Sequence, residues 1–285
     1  MQSKTDTLQF EIPMKTFLLL ITFIILVSCG QHKDKRTVNF PKSIELVNEI
    51  PNKENVWVFI LAGQSNMAGR AFVEPVDTIS NKRVLSINKN GQLVYAKEPL
   101  HFYEPSKTGL DCGLSFAKNL ITNIPDSITI LLIPTAVGGS SVGQWLGDST
   151  HRDVKLLSNF QSKVDIAKSY GHIKGILWHQ GENDANPIDI SKYEIKLSSL
   201  FTLFRTIIGN KNLPILLGEL GSYSSENENW KLINEKIKNV ANKDSITYLI
   251  STFDLKDKGD KIHFNSEGQR KMGERMASKF MSTLK

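Results

Sequence analysis

The chain has 285 residues, a formal net charge of +6 and only two cysteines. A domain of ~250 residues buries a large core without cross-links, so a small disulfide scaffold is excluded. The lysines are scattered, and no arginine–aromatic interleaving, zinc-ligand spacing or basic helix argues for nucleic acid or a metal.

The first element is not part of a fold. Met14-Lys15 opens an almost wholly apolar run, Phe17 to Val27, that stops at Ser28-Cys29-Gly30. A positive start, a short apolar core and a small-residue junction describe a secretory signal. The run falls short of the ~20 residues that span a membrane. Leu26-Val27-Ser28-Cys29 resembles a bacterial lipobox, which implies export and a lipid anchor on Cys29 in the cell envelope. An ordinary signal peptide or an uncleaved anchor remain the alternatives. A signal begins at its own methionine, so Met14 is the expected start. With Cys29 lipidated, Cys112 is left unpaired. Residues 30–52 read as a polar tether carrying Lys33, Lys35 and Arg36, and 53–285 as one domain.

From there, apolar runs alternate with helical patterns. Val56 to Ala62 is continuous, β-branched and aromatic, as expected of a strand covered on both faces. Ile128 to Ala136, Ile173 to His179, Leu213 to Leu217 and the weaker Ser245 to Ile250 repeat the pattern. Helical spacing marks Gly113 to Ile124, Tyr193 to Ile208, Trp230 to Val240 and Glu267 to Leu284. The alternation predicts a three-layer α/β/α fold with a mainly parallel, five-stranded sheet. Such a sheet carries its function in the loops at the carboxyl ends of the strands.

The first of these loops, Gly63-Gln64-Ser65-Asn66-Met67-Ala68-Gly69-Arg70, can lift the Ser65 hydroxyl above the sheet and aim backbone N–H groups at an oxyanion. Met67 replaces the second glycine of a G-x-S-x-G elbow, and an N-capping serine would look the same. The second loop places Gly138-Gly139-Ser140-Ser141 before Gln144-Trp145. Adjacent glycines let the backbone approach a carbonyl oxygen under attack. Trp145 could stack on a sugar or belong to the core. The third, Trp178-His179-Gln180-Gly181-Glu182-Asn183-Asp184, offers side-chain amides to an oxyanion; His179 reads as structural because its strand neighbours face the core. The last, Asp260-Lys261-Ile262-His263-Phe264-Asn265, puts an acid three residues before a histidine, where it can hold Nδ1–H and leave Nε2 for a nucleophile.

With these blocks in this order, the chain resembles the SGNH (GDSL-like) hydrolases from Val56 onward, and most nearly their carbohydrate-acetylesterase branch, which includes sialate O-acetylesterases and acetylxylan esterases. The matching runs are residues 63–70, 137–145, 178–184, 213–221 and 260–269. The resemblance implies a flavodoxin-like sheet, Ser65 as nucleophile, and His263 and Asp260 as its base and orienting acid. It implies an oxyanion hole from Ser65, Gly139 and an amide, Gln180 or Asn183, with Gln64 lining the site and Glu219 in support. It further implies an acetylated poly- or oligosaccharide substrate and no cofactor or metal. A short-chain lipase or thioesterase of the same fold stays open, as does a non-catalytic carbohydrate-binding surface lipoprotein. A nucleotide module is set aside because G-x-G-x-x-G and P-loop spacings are missing.

Overall fold

The computed structural model describes residues 34–224 and 227–284. The proposed signal and Cys29 lie outside them. The five expected strands are adjacent members of a larger sheet: β1 (Val56–Gly63), β4 (Thr129–Pro134), β7 (His172–His179), β8 (Ile215–Gly218) and β9 (Thr247–Ile250). Two short strands, β2 (Val84–Ile87) and β3 (Leu93–Tyr95), extend it to seven in the order β3-β2-β4-β1-β7-β8-β9. All pairings are parallel except β2 with β3. The count of five was therefore short by a hairpin whose strands are only four and three residues long. A separate ribbon pairs β5 (Thr150–His151) with β6 (Val154–Lys155).

Among the described residues six α-helices cover the two faces: α1 (Gly113–Leu120), α2 (Val142–Leu146), α3 (Leu156–Tyr170), α4 (Pro187–Ile208), α5 (Asn227–Lys243) and α6 (Ser266–Ser282). Side chains alternate across a strand, and β1 shows what this does to an all-apolar run. Val58, Ile60 and Ala62 join one core cluster with α3, α4 and α5, while Phe59 and Leu61 join the other with α1 and α6. Phe59 meets Phe116 and Phe280 edge-on at ring-centroid distances of 4.7 and 4.8 Å. Helix α3 was not expected, although Leu156, Phe160, Val164 and Ala167 form its buried stripe.

The stretch read as a tether is docked from Lys35 onward. Arg36 donates to the carbonyls of Pro105 and Thr108, Asn39 to that of Val73, and Glu45 and Val47 exchange backbone bonds with Tyr95 and Leu93 along the outer edge of β3. That edge would otherwise present unpaired backbone groups.

The chain places β2 and β3 on one side of β1, returns to set β4 between β2 and β1, then crosses to β7 on the other side of β1. The loops after β4, β1 and β7 thus emerge side by side at the reversal of strand order, where sheets of this kind open a crevice.

Candidate active site

Ser65 sits on one helical turn after β1, closed by the Ala68 amide donating to the Gln64 carbonyl at 2.8 Å. The turn starts at Gly63 because nothing larger fits: φ is +136° and a Cβ there would strike the His179 carbonyl oxygen. That same oxygen accepts from the Gln64 amide at 3.0 Å, tying the serine turn to the end of β7. Ser65 is 7% exposed, and among the described residues neither its hydroxyl nor its backbone N–H has a hydrogen-bond partner.

His263 and Asp260 lie on the loop between β9 and α6. Asp260 Oδ2 is 2.7 Å from His263 Nδ1, and Oδ1 accepts from the amides of Ile262 at 3.0 Å and His263 at 2.8 Å. A carboxylate only accepts, so Nδ1 carries the proton and Nε2 presents a lone pair. Burial favours a neutral Asp260 carboxyl, but the bonds from the His263 ring and the two amides outweigh it and lower its pKa to about 2. For His263, burial is the largest influence and lowers the pKa from 6.5, against the raising pull of Asp260.

Asn66 joins these two segments. Its Nδ2 donates to Ile262 O at 3.3 Å and to Glu182 Oε1 at 2.7 Å, and its Oδ1 accepts from Phe264 N at 3.0 Å. Gln269 of α6 adds a bond to the Asn66 carbonyl at 2.9 Å. The residue after Ser65 therefore grips the backbone on both sides of His263. No hydrogen bond joins Ser65 directly to His263; such bonds are often long before substrate is bound.

On the β4 side, the Gly138 amide is taken by Glu104 Oε2 at 2.6 Å, which also pairs with buried Arg70 at 2.7 Å. Arg152 pairs with the other oxygen of Glu104. The Gly139 amide donates to no group among the described residues.

The two amide candidates separate clearly. Gln180 is fully buried, and its Nε2 faces Asp184 Oδ2 at 2.5 Å, Gln64 Oε1 at 3.1 Å and Ser140 O at 3.2 Å. Both its N–H groups are committed inside the protein, which removes Gln180 from the expected oxyanion donors. Asn183 is exposed, and its side chain is unengaged among the described residues. Gln64 is held through Oε1, which accepts from Gln180 and from the Asn183 amide at 3.2 Å, leaving its own Nε2 unengaged.

Trp145 does not line a sugar site. It is fully buried, edge-on to Trp178 and Phe204, with its indole N–H satisfied by Ser140 Oγ at 2.9 Å. His179 is buried with Nε2 on the Glu219 carbonyl at 2.9 Å, as a structural residue. Glu219 contributes that carbonyl and an ion pair to Lys238.

Asn66 and Glu182 were present in the matched runs without a role, and Arg70 likewise. Glu104, His151 and Arg152 belong to no run; only the folded chain brings them to Gly138. Among the described residues no group of His, Cys, Asp and Glu has the arrangement of a metal site.

A mainly parallel sheet with a serine turn after β1, glycines after β4 and an Asp–His loop before the last helix defines an SGNH-type hydrolase. Residues 55–282 match the family model for carbohydrate esterases, sialic acid-specific acetylesterase, and the chain belongs to that family. It is a carboxylic ester hydrolase. An Arabidopsis thaliana protein named "Probable carbohydrate esterase" is 28% identical over 262 residues, spanning 84% of this chain and 95% of its own. The crystal structure of the Arabidopsis protein superposes with a TM-score of 0.71 at 26% identity, covering 80% of this chain and 98% of that one. NanS gives 0.65 at 18% identity over 83% and 99% of the two chains. A carbohydrate acetylesterase of Xanthomonas citri gives 0.57 at 20% identity, covering 78% of this chain and 54% of the larger one. The last two likenesses speak to the fold alone.

Proposed function

We propose that the protein removes O-acetyl groups from poly- or oligosaccharides by two-step acyl transfer. A serine hydroxyl needs a base at neutral pH. His263 Nε2 takes the Ser65 proton as Oγ bonds to the ester carbonyl carbon, and the oxygen gains the negative charge. The N–H groups of Ser65 and Gly139, with the side-chain amide of Asn183, receive that charge; one such donor is worth ~3–4 kcal/mol. The tetrahedral species collapses as the carbon–oxygen bond to the sugar breaks and His263 protonates the leaving hydroxyl. Water then attacks the acetyl-enzyme with His263 again as base, acetic acid leaves, and the proton returns to Ser65. Gln64, whose Nε2 has no partner among the described residues, donates to the substrate.

The observation that carries this reading is the Asn66 clamp. It brings the Ser65 turn against a histidine whose tautomer Asp260 has set for accepting a proton. The family's specificity, that of a sialic acid-specific acetylesterase, supports acetylated carbohydrate as the substrate class. The test is acetate release from acetylated xylan, mannan, pectin and sialic acids by wild type and Ser65→Ala. Release by the wild type alone is expected, with both proteins equally folded. More than a few per cent residual activity in pure Ser65→Ala refutes the nucleophile.

A further inference from the structure

The β5–β6 ribbon pairs with no strand of the main sheet, yet its His151 reaches the glycine loop after β4. His151 Nε2 lies 2.9 Å from the Gly138 carbonyl oxygen. That oxygen can only accept, so Nε2 carries the proton. The other side of the ring agrees. Gln144 Oε1 accepts from the Ser141 amide at 2.9 Å, which turns the Gln144 NH₂ group toward His151 Nδ1 at 3.4 Å. An NH₂ group meets a lone pair there only if Nδ1 is unprotonated. The two contacts fix one neutral tautomer with the donor on Gly138.

Gly138 C=O and Gly139 N–H belong to the same peptide plane, and in a trans peptide they point in opposite directions. A donor fixed on the carbonyl therefore sets where the Gly139 N–H points. It also polarises the peptide, which strengthens that N–H as a donor. The preceding peptide is pinned independently by Glu104, which holds the Gly138 N–H at 2.6 Å. The Cβ direction of Gly139 is covered by the same ribbon, with Arg152 Nη2 at 3.3 Å and His151 Nε2 at 3.6 Å from where a Cβ would lie. An oxyanion donor stabilises a transition state in proportion to how well it is pre-aimed.

We infer that His151 is a positioning residue that aims the Gly139 N–H into the oxyanion hole through its hydrogen bond to the Gly138 carbonyl, giving the β5–β6 ribbon a part in the acyl-transfer step. The inference rests on the proposed acyl-transfer site and goes beyond it, because His151 lies in none of the motif-bearing loops.

The experiment compares His151→Gln, whose Nε2 can reach the position of the imidazole Nε2, with His151→Asn, whose amide ends nearer Nδ1 and cannot. Both are assayed on p-nitrophenyl acetate, which has no sugar for His151 to touch, alongside Ser65→Ala and inhibition by a phenylboronate as an oxyanion mimic. Thermal melts verify that the variants fold. His151→Asn is expected to lower kcat at least about tenfold with KM little changed, short of the 10²–10³ lost with a whole donor. Boronate inhibition should weaken by a similar factor, and His151→Gln should restore both to within a few-fold. Equal activity of wild type, Asn and Gln variants overturns the inference, as does a loss confined to KM. Should His151→Asn unfold, the Gln variant decides: it must keep kcat and boronate affinity together, and losing both while folded also overturns it. Residual activity in Ser65→Ala would instead indict the acyl-transfer reading itself.

Discussion

Asn66 satisfies three partners with one buried side chain: Glu182, the Ile262 carbonyl and the Phe264 amide. Replacing it by alanine strands a carboxylate oxygen and an N–H out of water, and each unpaired buried group costs about 1–3 kcal/mol. Asn66→Ala should therefore lower unfolding free energy by roughly 2–4 kcal/mol, read from denaturant titration, with kcat/KM down at least tenfold at a temperature where the variant is folded. A stable variant with wild-type activity contradicts the clamp. The histidine it positions predicts the acid limb of the pH profile. Burial lowers the His263 pKa below 6.5, and the base works only when neutral, so kcat/KM should rise with pH and reach half its plateau below pH 6.5. Asp260 titrates near 2, so it stays ionised across this limb and its favourable bonding to His263 is lost only as pH falls through its folded pKa. A half-maximum at or above pH 7 rules out the buried, neutral base. The Asp260–His263 pair was legible because its spacing is local, whereas only the fold carries that loop to the Ser65 turn. The Gln180–Asn183 alternative was not, since only the fold shows Gln180 spending its amide on Asp184, Gln64 and Ser140. Trp145 stayed open for a similar reason: a tryptophan beside a glycine loop looks the same in sequence whether its ring turns inward or outward.

At the level of elements, the buried central strands were readable because burial on both faces forces unbroken apolar runs. Strands β2 and β3 were not, since three or four residues carry too little pattern, and the two-residue strands of the β5–β6 ribbon carry still less. Helix α6 carries a tighter constraint than its amphipathic pattern conveys. At Gly273 it crosses α1 so closely that a Cβ would strike the Cys112 carbonyl and the Phe116 amide. Overpacking such a contact costs typically about 1–3 kcal/mol, and α6 begins three residues after His263. Gly273→Val should destabilise by at least that amount and lower kcat, both measured on one preparation; an unchanged melting temperature would show that the helices part freely. The glycine loop before α2 bears on acyl size. Its small residues, Gly138 to Ser140, argue for a short pocket, and one methylene changes transition-state binding by ~1–3 kcal/mol. From p-nitrophenyl acetate to butyrate, kcat/KM should fall at least tenfold, whereas a lipase-like groove would reverse the order and peak near octanoate.

For the whole molecule, the question is whether the folded esterase is held at a membrane. No helix among the described residues is long and apolar enough to cross one. The apolar run Phe17 to Val27 precedes them and ends two residues before Cys29. The chain's other cysteine, Cys112, is fully buried with its thiol flanked by Met67 and Met276, and burial pushes its pKa well up, so it is a poor site for any modification. We propose, from the lipobox-like run alone, that Cys29 takes the lipid; every residue assigned to catalysis lies at or beyond Ser65, in the compact unit Lys35–Lys285. Anchoring and activity should therefore separate. In its native host the wild type should sediment with membranes and leave them only with detergent. Cys29→Ser should move to the soluble fraction or remain an unprocessed precursor, while the domain purified from residue 35 onward keeps the kcat/KM of the detergent-extracted enzyme on a small acetate ester. A wild type found wholly soluble, with its signal cleaved at another residue, would end the lipoprotein assignment. A purified domain without activity would instead show that the anchor segment belongs to the working enzyme.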